Sequence, residues 1–299
     1  MMKQAPYLKK GDKIAVVCPA KMLRTPIDAG LDILRSWGLE VLVGATVKAS
    51  YHQFAGTDPQ RTADLQRYLD DPEIKAIIAG RGGYGTIRLI DDLDFTAFSR
   101  SPKWLVGFSD ITVLLSHTLA VHQIMALHAQ MPYTFTESTA EALDSLRAVL
   151  FGEKQAYHYT SLMPNKPGNV QGTLIGGNLS LLQALEGSVS EMDFRDKILF
   201  IEDVGEHEYA IDRMMRTLKR KGKLKELKAL IVGGFTELGE EPIPFGQTPE
   251  AVIGSLVEEY GYPVCYQFPV GHIPDNRAML LGAQVRLDIG ERDVHFQYI

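Results

Sequence analysis

The chain has 299 residues, a formal net charge of −6, 45 % hydrophobic and 23 % charged residues, the balance of a soluble globular protein with room for one large or two medium domains. An acidic surface offers little to nucleic acid or an anionic membrane, so neither is expected as a partner. No apolar run precedes Ile14 and none is long enough to cross a bilayer, while Cys18 and Cys265 lie far apart in apolar runs; a cytoplasmic protein without a disulfide framework is expected.

Lys13 to Cys18 is a short continuous apolar run, suited to a buried parallel strand. Pro26 to Trp37 repeats apolar residues at helical spacing and stops at Gly38. A second strand is predicted over Leu39 to Val43. Thr57-Asp58-Pro59-Gln60 combines a capping box with an early proline, which predicts a helix to about Leu69. Strands follow at Ile74 to Ala79 and Trp104 to Phe108. Alternation at this spacing predicts an α/β fold with a parallel, helix-covered sheet.

Two stretches at strand ends stand out. Arg81-Gly82-Gly83-Tyr84-Gly85 follows the third strand, where glycines let backbone amides approach a ligand closely. It lacks the lysine and hydroxyl pair of a Walker motif and the G-x-G-x-x-G spacing, so it reads either as a loop that offers an N–H to substrate or as a simple tight turn. Gly107-Phe108-Ser109-Asp110 joins the fourth strand to a helical pattern. A serine at such a corner is exposed beside unpaired N–H groups, the logic of a nucleophile elbow. The fit to G-x-S-x-G is partial, because Ile111 replaces the second glycine, and a plain helix N-cap is the alternative.

A strand is predicted from Ile124 to Leu127, ending at His128, and a helix from Glu137 to Leu150. Phe151 to Val170 then gathers Gly152, Pro164, Asn165, Pro167, Gly168 and Asn169, the best linker candidate in the chain. Beyond it, Gly172 to Leu179 reads as a strand, a glycine turn and a helix led by Asn178, whose side chain would cap or bind. Lys197 to Ile201 is a buried strand ending in Glu202-Asp203; the plainer reading of that carboxylate pair is charge complementing the next helix start. Ala229 to Phe235 and Pro263 to Phe268 are further strands, the latter leading into Gly271-His272-Ile273-Pro274. Alternation after Ala278 predicts antiparallel strands.

No H-x-x-x-H or C-x-x-C pair occurs among the eight histidines and two cysteines, so no zinc site is expected. Ser109, Glu202 and His272 each follow a strand end, in the order serine, acid, histidine. That order is one of the convergent solutions for acyl transfer. Serine needs a base to take its proton, histidine titrates near neutrality, and a carboxylate orients the imidazole.

These motifs resemble, in order and over nearly the whole chain, those of the LD-carboxypeptidase family of serine peptidases, which includes murein tetrapeptide carboxypeptidases and microcin C self-immunity peptidases. The matching pieces are Arg81 to Gly85, Gly107 to Asp110, Gly176-Gly177-Asn178-Leu179, Ile201-Glu202-Asp203 with Ile211-Asp212-Arg213, and Gly271-His272 with Asn276. The resemblance implies Ser109 as nucleophile, His272 as general base and Glu202 as its orienting acid. It implies an oxyanion hole from the backbone N–H of Asp110 and of Gly83 or Gly82, with Tyr84 and Asn178 as candidate substrate-binding residues and no metal or organic cofactor. The implied architecture is an N-terminal α/β domain over 1–150, a linker over 151–170 and a smaller strand-rich C-terminal domain over 171–299, with the active site at their interface. A homodimer acting on murein tetrapeptide in peptidoglycan recycling is the expected whole. The alternatives are an immunity-type peptidase cleaving an aminoacyl-nucleotide amide, which an aromatic base-stacking residue near the loop after Glu202 would favour, and a non-catalytic binding module on the same fold.

Overall fold

A computed structural model describes residues 2–239 and 242–299. In chain order the strands are β1 (Lys13–Val17), β2 (Glu40–Val43), β3 (Ile74–Ala79), β4 (Trp104–Gly107), β5 (Ala126–His128), β6 (Ala156–Thr160), β7 (Gly168–Asn178), β8 (Lys197–Val204), β9 (Ala229–Thr236), β10 (Val264–Cys265), β11 (Met279–Leu281), β12 (Gln284–Ile289) and β13 (Asp293–Tyr298). The helices are α1 (Asp28–Ser36), α2 (Asp58–Asp70), α3 (Thr96–Arg100), α4 (Thr112–His122), α5 (Ala140–Phe151), α6 (Leu179–Ala184), α7 (Glu208–Arg220) and α8 (Pro249–Val257).

The strands form two sheets. The first is six-stranded, in the order β11-β5-β4-β3-β1-β2, parallel throughout except for β11. The second is seven-stranded, in the order β10-β9-β8-β7-β12-β13-β6. Its β10 to β7 half is parallel and its β12, β13, β6 half antiparallel. Local sequence accounts for much of this. The Thr57 hydroxyl and Gln60 amide cap α2 reciprocally, with proline in its first turn, and Thr139 and Thr248 cap α5 and α8.

Three expectations need correction. The stretch 151–170 is not an irregular connection, because β6 pairs along its length with β13. The glycine pair Gly176-Gly177 is not a turn: β7 runs straight through it, paired with Phe200 and Ile201 of β8. The glycines serve close approach instead, since at φ +147° a Cβ on Gly176 would collide with the carbonyl oxygen of Phe200. The strand expected over Pro263 to Phe268 narrows to Val264–Cys265.

One face of the first sheet packs Ile14, Ile78, Trp104 and Leu127 against Leu34 of α1 and Leu150 of α5. The other face shares a continuous core with the second sheet, through Leu65, Leu105 and Leu114 to Leu174, Ile198 and Phe200. That shared core, and the return of β11 to pair with β5, hold the carboxyl ends of β4 and β8 against each other.

Candidate active site

Ser109 follows β4 at the first residue of a single 3-10 turn that leads into α4, with φ +63°. Left-handed backbone on a non-glycine residue costs about 1–3 kcal/mol and persists only where its surroundings enforce it. An N-cap has extended backbone and bonds its own helix; Ser109 has neither property, and α4 carries no side-chain cap. The N-cap reading is thereby overturned. Gly107 lets the corner close, because a Cβ there would press on Ile111 at 2.9 Å.

The glycine loop lies directly on this corner. A Cβ on Gly82 would stand 2.9 Å from Ser109 Cβ and 3.1 Å from its Oγ, so only glycine leaves the hydroxyl its space. Gly83 and Gly85 both have positive φ. Two buried side chains clamp the loop. The Asp110 carboxylate accepts the Thr86 N–H at 2.8 Å, and burial pushes its carboxyl pKa up. Arg61, wholly buried on α2, donates to the carbonyls of Gly85 and Gly56 and pairs with Asp58. Arg61 went unnoticed in the sequence, although a signal was there: a charged residue on the apolar face of a helix, in step with Leu65 and Tyr68.

Glu202 points from β8 at 0 % exposure, and its Oε2 lies 2.6 Å from His272 Nδ1. Gly271, at φ +114°, packs where a Cβ would meet Glu202 Cβ at 2.7 Å. Its N–H donates to Asn276 Oδ1, and the Thr236 hydroxyl donates to the His272 carbonyl. Burial opposes a charge on His272, but the Glu202 carboxylate and its hydrogen bond, with Asp203 and Glu237 adding, outweigh it and raise the imidazole pKa above its ordinary value. Burial, then the adjacent Glu202 charge, push the Asp203 carboxyl up to about 6.

The Phe108 ring lies 4.8 Å from the His272 ring, so the residue before Ser109 packs on the histidine. A cavity of about 210 Å³ opens there, lined by Phe108, Gln130, Thr134, Glu137, Glu237 and His272. Gln130, absent from the sequence reading, donates to the carbonyls of Ile273 and Pro274 and ties the histidine loop to the first sheet.

Of the two candidate substrate-binding residues, Tyr84 is 44 % exposed at the glycine loop, its ring near Phe54. Asn178 does not fit that role. It is 2 % exposed, its amide donates to Asp203 Oδ1, and its oxygen accepts from Ser180 and Leu181. Its polar atoms are consumed by the fold, capping α6 and steadying the residue beside Glu202.

A strained hydroxyl under a glycine loop, one residue after a phenylalanine whose ring packs on the imidazole of a buried carboxylate–imidazole pair, is equipment suited to a hydrolase working by acyl transfer. Residues 14–129 match the LD-carboxypeptidase N-terminal domain and residues 171–287 the C-terminal domain, so the chain belongs to the LD-carboxypeptidase family of peptidases. A putative carboxypeptidase of Synechocystis sp. is 37 % identical over 94 % of this chain and 93 % of its own. A probable murein peptide carboxypeptidase of Bacillus subtilis is 34 % identical over 95 % and 91 %. Among solved structures, the muramoyltetrapeptide carboxypeptidase of Oxalobacter formigenes superposes with a TM-score of 0.86 at 29 % identity, covering 96 % of this chain and 98 % of that one. MccF in complex with glutamyl sulfamoyl guanosine has the same fold, at TM-score 0.86 and 21 % identity over 98 % of both chains.

The histidine sets a pH dependence. A histidine acting as general base must be neutral, so with His272 in that role kcat/KM should rise with pH through its raised pKa, with a midpoint above the ordinary value of about 6.5. Glu202→Gln, which removes the charge, should move that midpoint to lower pH as well as slowing the reaction. A pH–rate profile whose acid limb lies below 6.5 in the unmodified protein would contradict the pairing. The linked stability has the opposite sense: with its folded pKa raised, His272 contributes stability fully below about pH 6.5 and loses it as pH climbs through the folded value.

Proposed function

We propose that this chain is a serine LD-carboxypeptidase that releases the terminal D-alanine from murein tetrapeptide in peptidoglycan recycling. Ser109 Oγ attacks the carbonyl of the third, diamino acid residue while His272 takes its proton. The backbone N–H of Asp110 and of Gly83 or Gly82 hold the tetrahedral oxyanion. The intermediate collapses as His272 passes the proton to the D-alanine amine, and water then releases the acyl-enzyme by the same path in reverse. Glu202 keeps Nδ1 protonated, leaving Nε2 as the base. The hydroxyl comes from the first sheet and the acid and base from the second, so the site works only when the two stay docked.

The observation that carries this reading is the left-handed backbone of Ser109, packed under Gly82 and following Phe108, whose ring lies 4.8 Å from that of a histidine held by a buried glutamate. The names of similar proteins support the substrate class. The test is mass spectrometry of L-Ala-γ-D-Glu-diaminopimelate-D-Ala incubated with the protein, where loss of one D-alanine is expected. An intact peptide after prolonged incubation would defeat the proposal.

One feature favours a second reading. In the loop after Glu202, His207 stacks on Tyr209 at 5.2 Å, with the Arg213 guanidinium over the same tyrosine and Tyr209 43 % exposed. Such a surface suits a nucleobase. Cleavage of an aminoacyl sulfamoyl nucleoside in preference to tetrapeptide would establish an immunity-type peptidase instead.

A further inference from the structure

His128 takes no part in the chemistry above, yet it lies against it. It ends β5 at 0 % exposure, opposite Gly107 of β4 on one side and Met279 of β11 on the other. Its ring meets Phe108 at 5.7 Å and, edge-on, Phe200 of the second sheet at 5.0 Å. Phe200 and Glu202 are two residues apart on β8, so their side chains leave the strand on the same face. The Glu202 and His272 charges both act on the His128 ring, and the Asn276 side chain lies within its hydrogen-bonding reach.

The polar atoms here do not balance. Among the described residues, neither ring nitrogen of His128 makes a hydrogen bond of good geometry, nor does Glu202 Oε1, nor Asn276 Nδ2, although the Asn276 side chain stands near the ring. All three residues are completely buried. Glu202 thus spends one oxygen on His272 and keeps the other unmatched in an apolar setting, where an unmet carboxylate oxygen is costly. Hydrogen bonds of a catalytic site are often long without substrate and tighten in the reacting complex. The need is greatest there, because Glu202 must then stabilise an imidazolium.

We propose that His128 is a positioning residue for Glu202: its neutral N–H, joined by the Asn276 amide, engages Oε1 and fixes the rotation of the carboxylate that aims Oε2 at His272 Nδ1. Burial supports the neutral form, holding the His128 pKa down to about 4, so it brings a donor without a positive charge to compete with His272. Histidine suits the place because its ring also fills the contact between Phe108 and Phe200.

The inference rests on the proposed triad, and the test separates the two. His128→Phe keeps the ring and removes the donor; His128→Gln keeps a donor. For D-alanine release, H128F should lower kcat by roughly 10- to 100-fold, the rate equivalent of one hydrogen bond to a charged group. KM should stay within about twofold, and H128Q should recover most of the loss. In the proton NMR spectrum the downfield His272 Nδ1–H resonance should shift in H128F and return towards the original position in H128Q. Equal losses in both variants, or kcat unchanged in H128F, would overturn the proposal and leave His128 a packing residue. Where phenylalanine is not tolerated, His128→Met repeats the donorless arm. If the unmodified protein releases no D-alanine, the functional reading fails, but the resonance needs no substrate and still decides on His128.

Discussion

Replacing Ser109 by alanine is expected to reduce D-alanine release by roughly 10⁴- to 10⁶-fold, the usual cost of removing a nucleophile that acts as a unit with its base. KM should change little, since the backbone N–H groups proposed to hold the oxyanion and the cavity beside His272 are untouched. Stability offers a second, independent reading of the same residue. At φ +63° alanine is as strained as serine, so S109A should melt close to the original protein, whereas Ser109→Gly should be more stable by about 1 kcal/mol. A glycine variant that is both inactive and more stable is the signature of strain held for function. Turnover of S109A near the original rate would remove the serine mechanism altogether, and an S109G variant no more stable than S109A would mean the corner is not strained.

Gly176→Ala should be among the most destabilising single changes in the chain, although it adds only a methyl group. Gly176 has φ +147° and its missing Cβ position is occupied by the Phe200 carbonyl oxygen, which is backbone and cannot swing away. Conformational strain and overpacking together should cost roughly 3–5 kcal/mol. Any relief would come from β8 moving away, and Glu202 lies two residues beyond Phe200 on that strand. Denaturant unfolding should therefore show a large fall in midpoint, with activity lost in whatever protein still folds. An unchanged midpoint would mean that β7 and β8 are not as close there as described. By contrast Gly187 and Gly205 meet no atom within 4 Å, and alanine there should carry only the backbone cost of their positive φ.

The sequence carried the strands of the first sheet because parallel strands buried on both faces are written as continuous apolar runs, such as Ile14 to Val17 and Ile74 to Ala79. Capping chemistry was equally plain at Thr57. Glycine clusters were less legible, since the same residue serves a turn, an amide that approaches a ligand and a strand pressed against its neighbour. At Gly82 the missing side chain leaves room for Ser109; at Gly176-Gly177 local sequence suggested a turn where the partner strand demanded close approach. Asn178 failed for a related reason, because a side chain able to cap a helix or bind a ligand is assigned by its burial, which no local pattern reports.

Sequence alone determined which residue types could do acyl-transfer chemistry and that each lies near the carboxyl end of a strand, although Glu202 proves to be within β8 and not beyond it, for those are local properties of motif and periodicity. It also determined the family, through motifs spread over nearly the whole chain. Only the tertiary structure decided that the end of β4 meets the end of β8, that Ser109 is left-handed, and that Glu202 and His272 bond at 2.6 Å. It alone revealed Arg61, Gln130 and His128 around them. These depend on contacts between residues as many as 144 positions apart, such as Gln130 and Pro274, and chain connectivity carries no record of which distant surfaces become neighbours once the core closes.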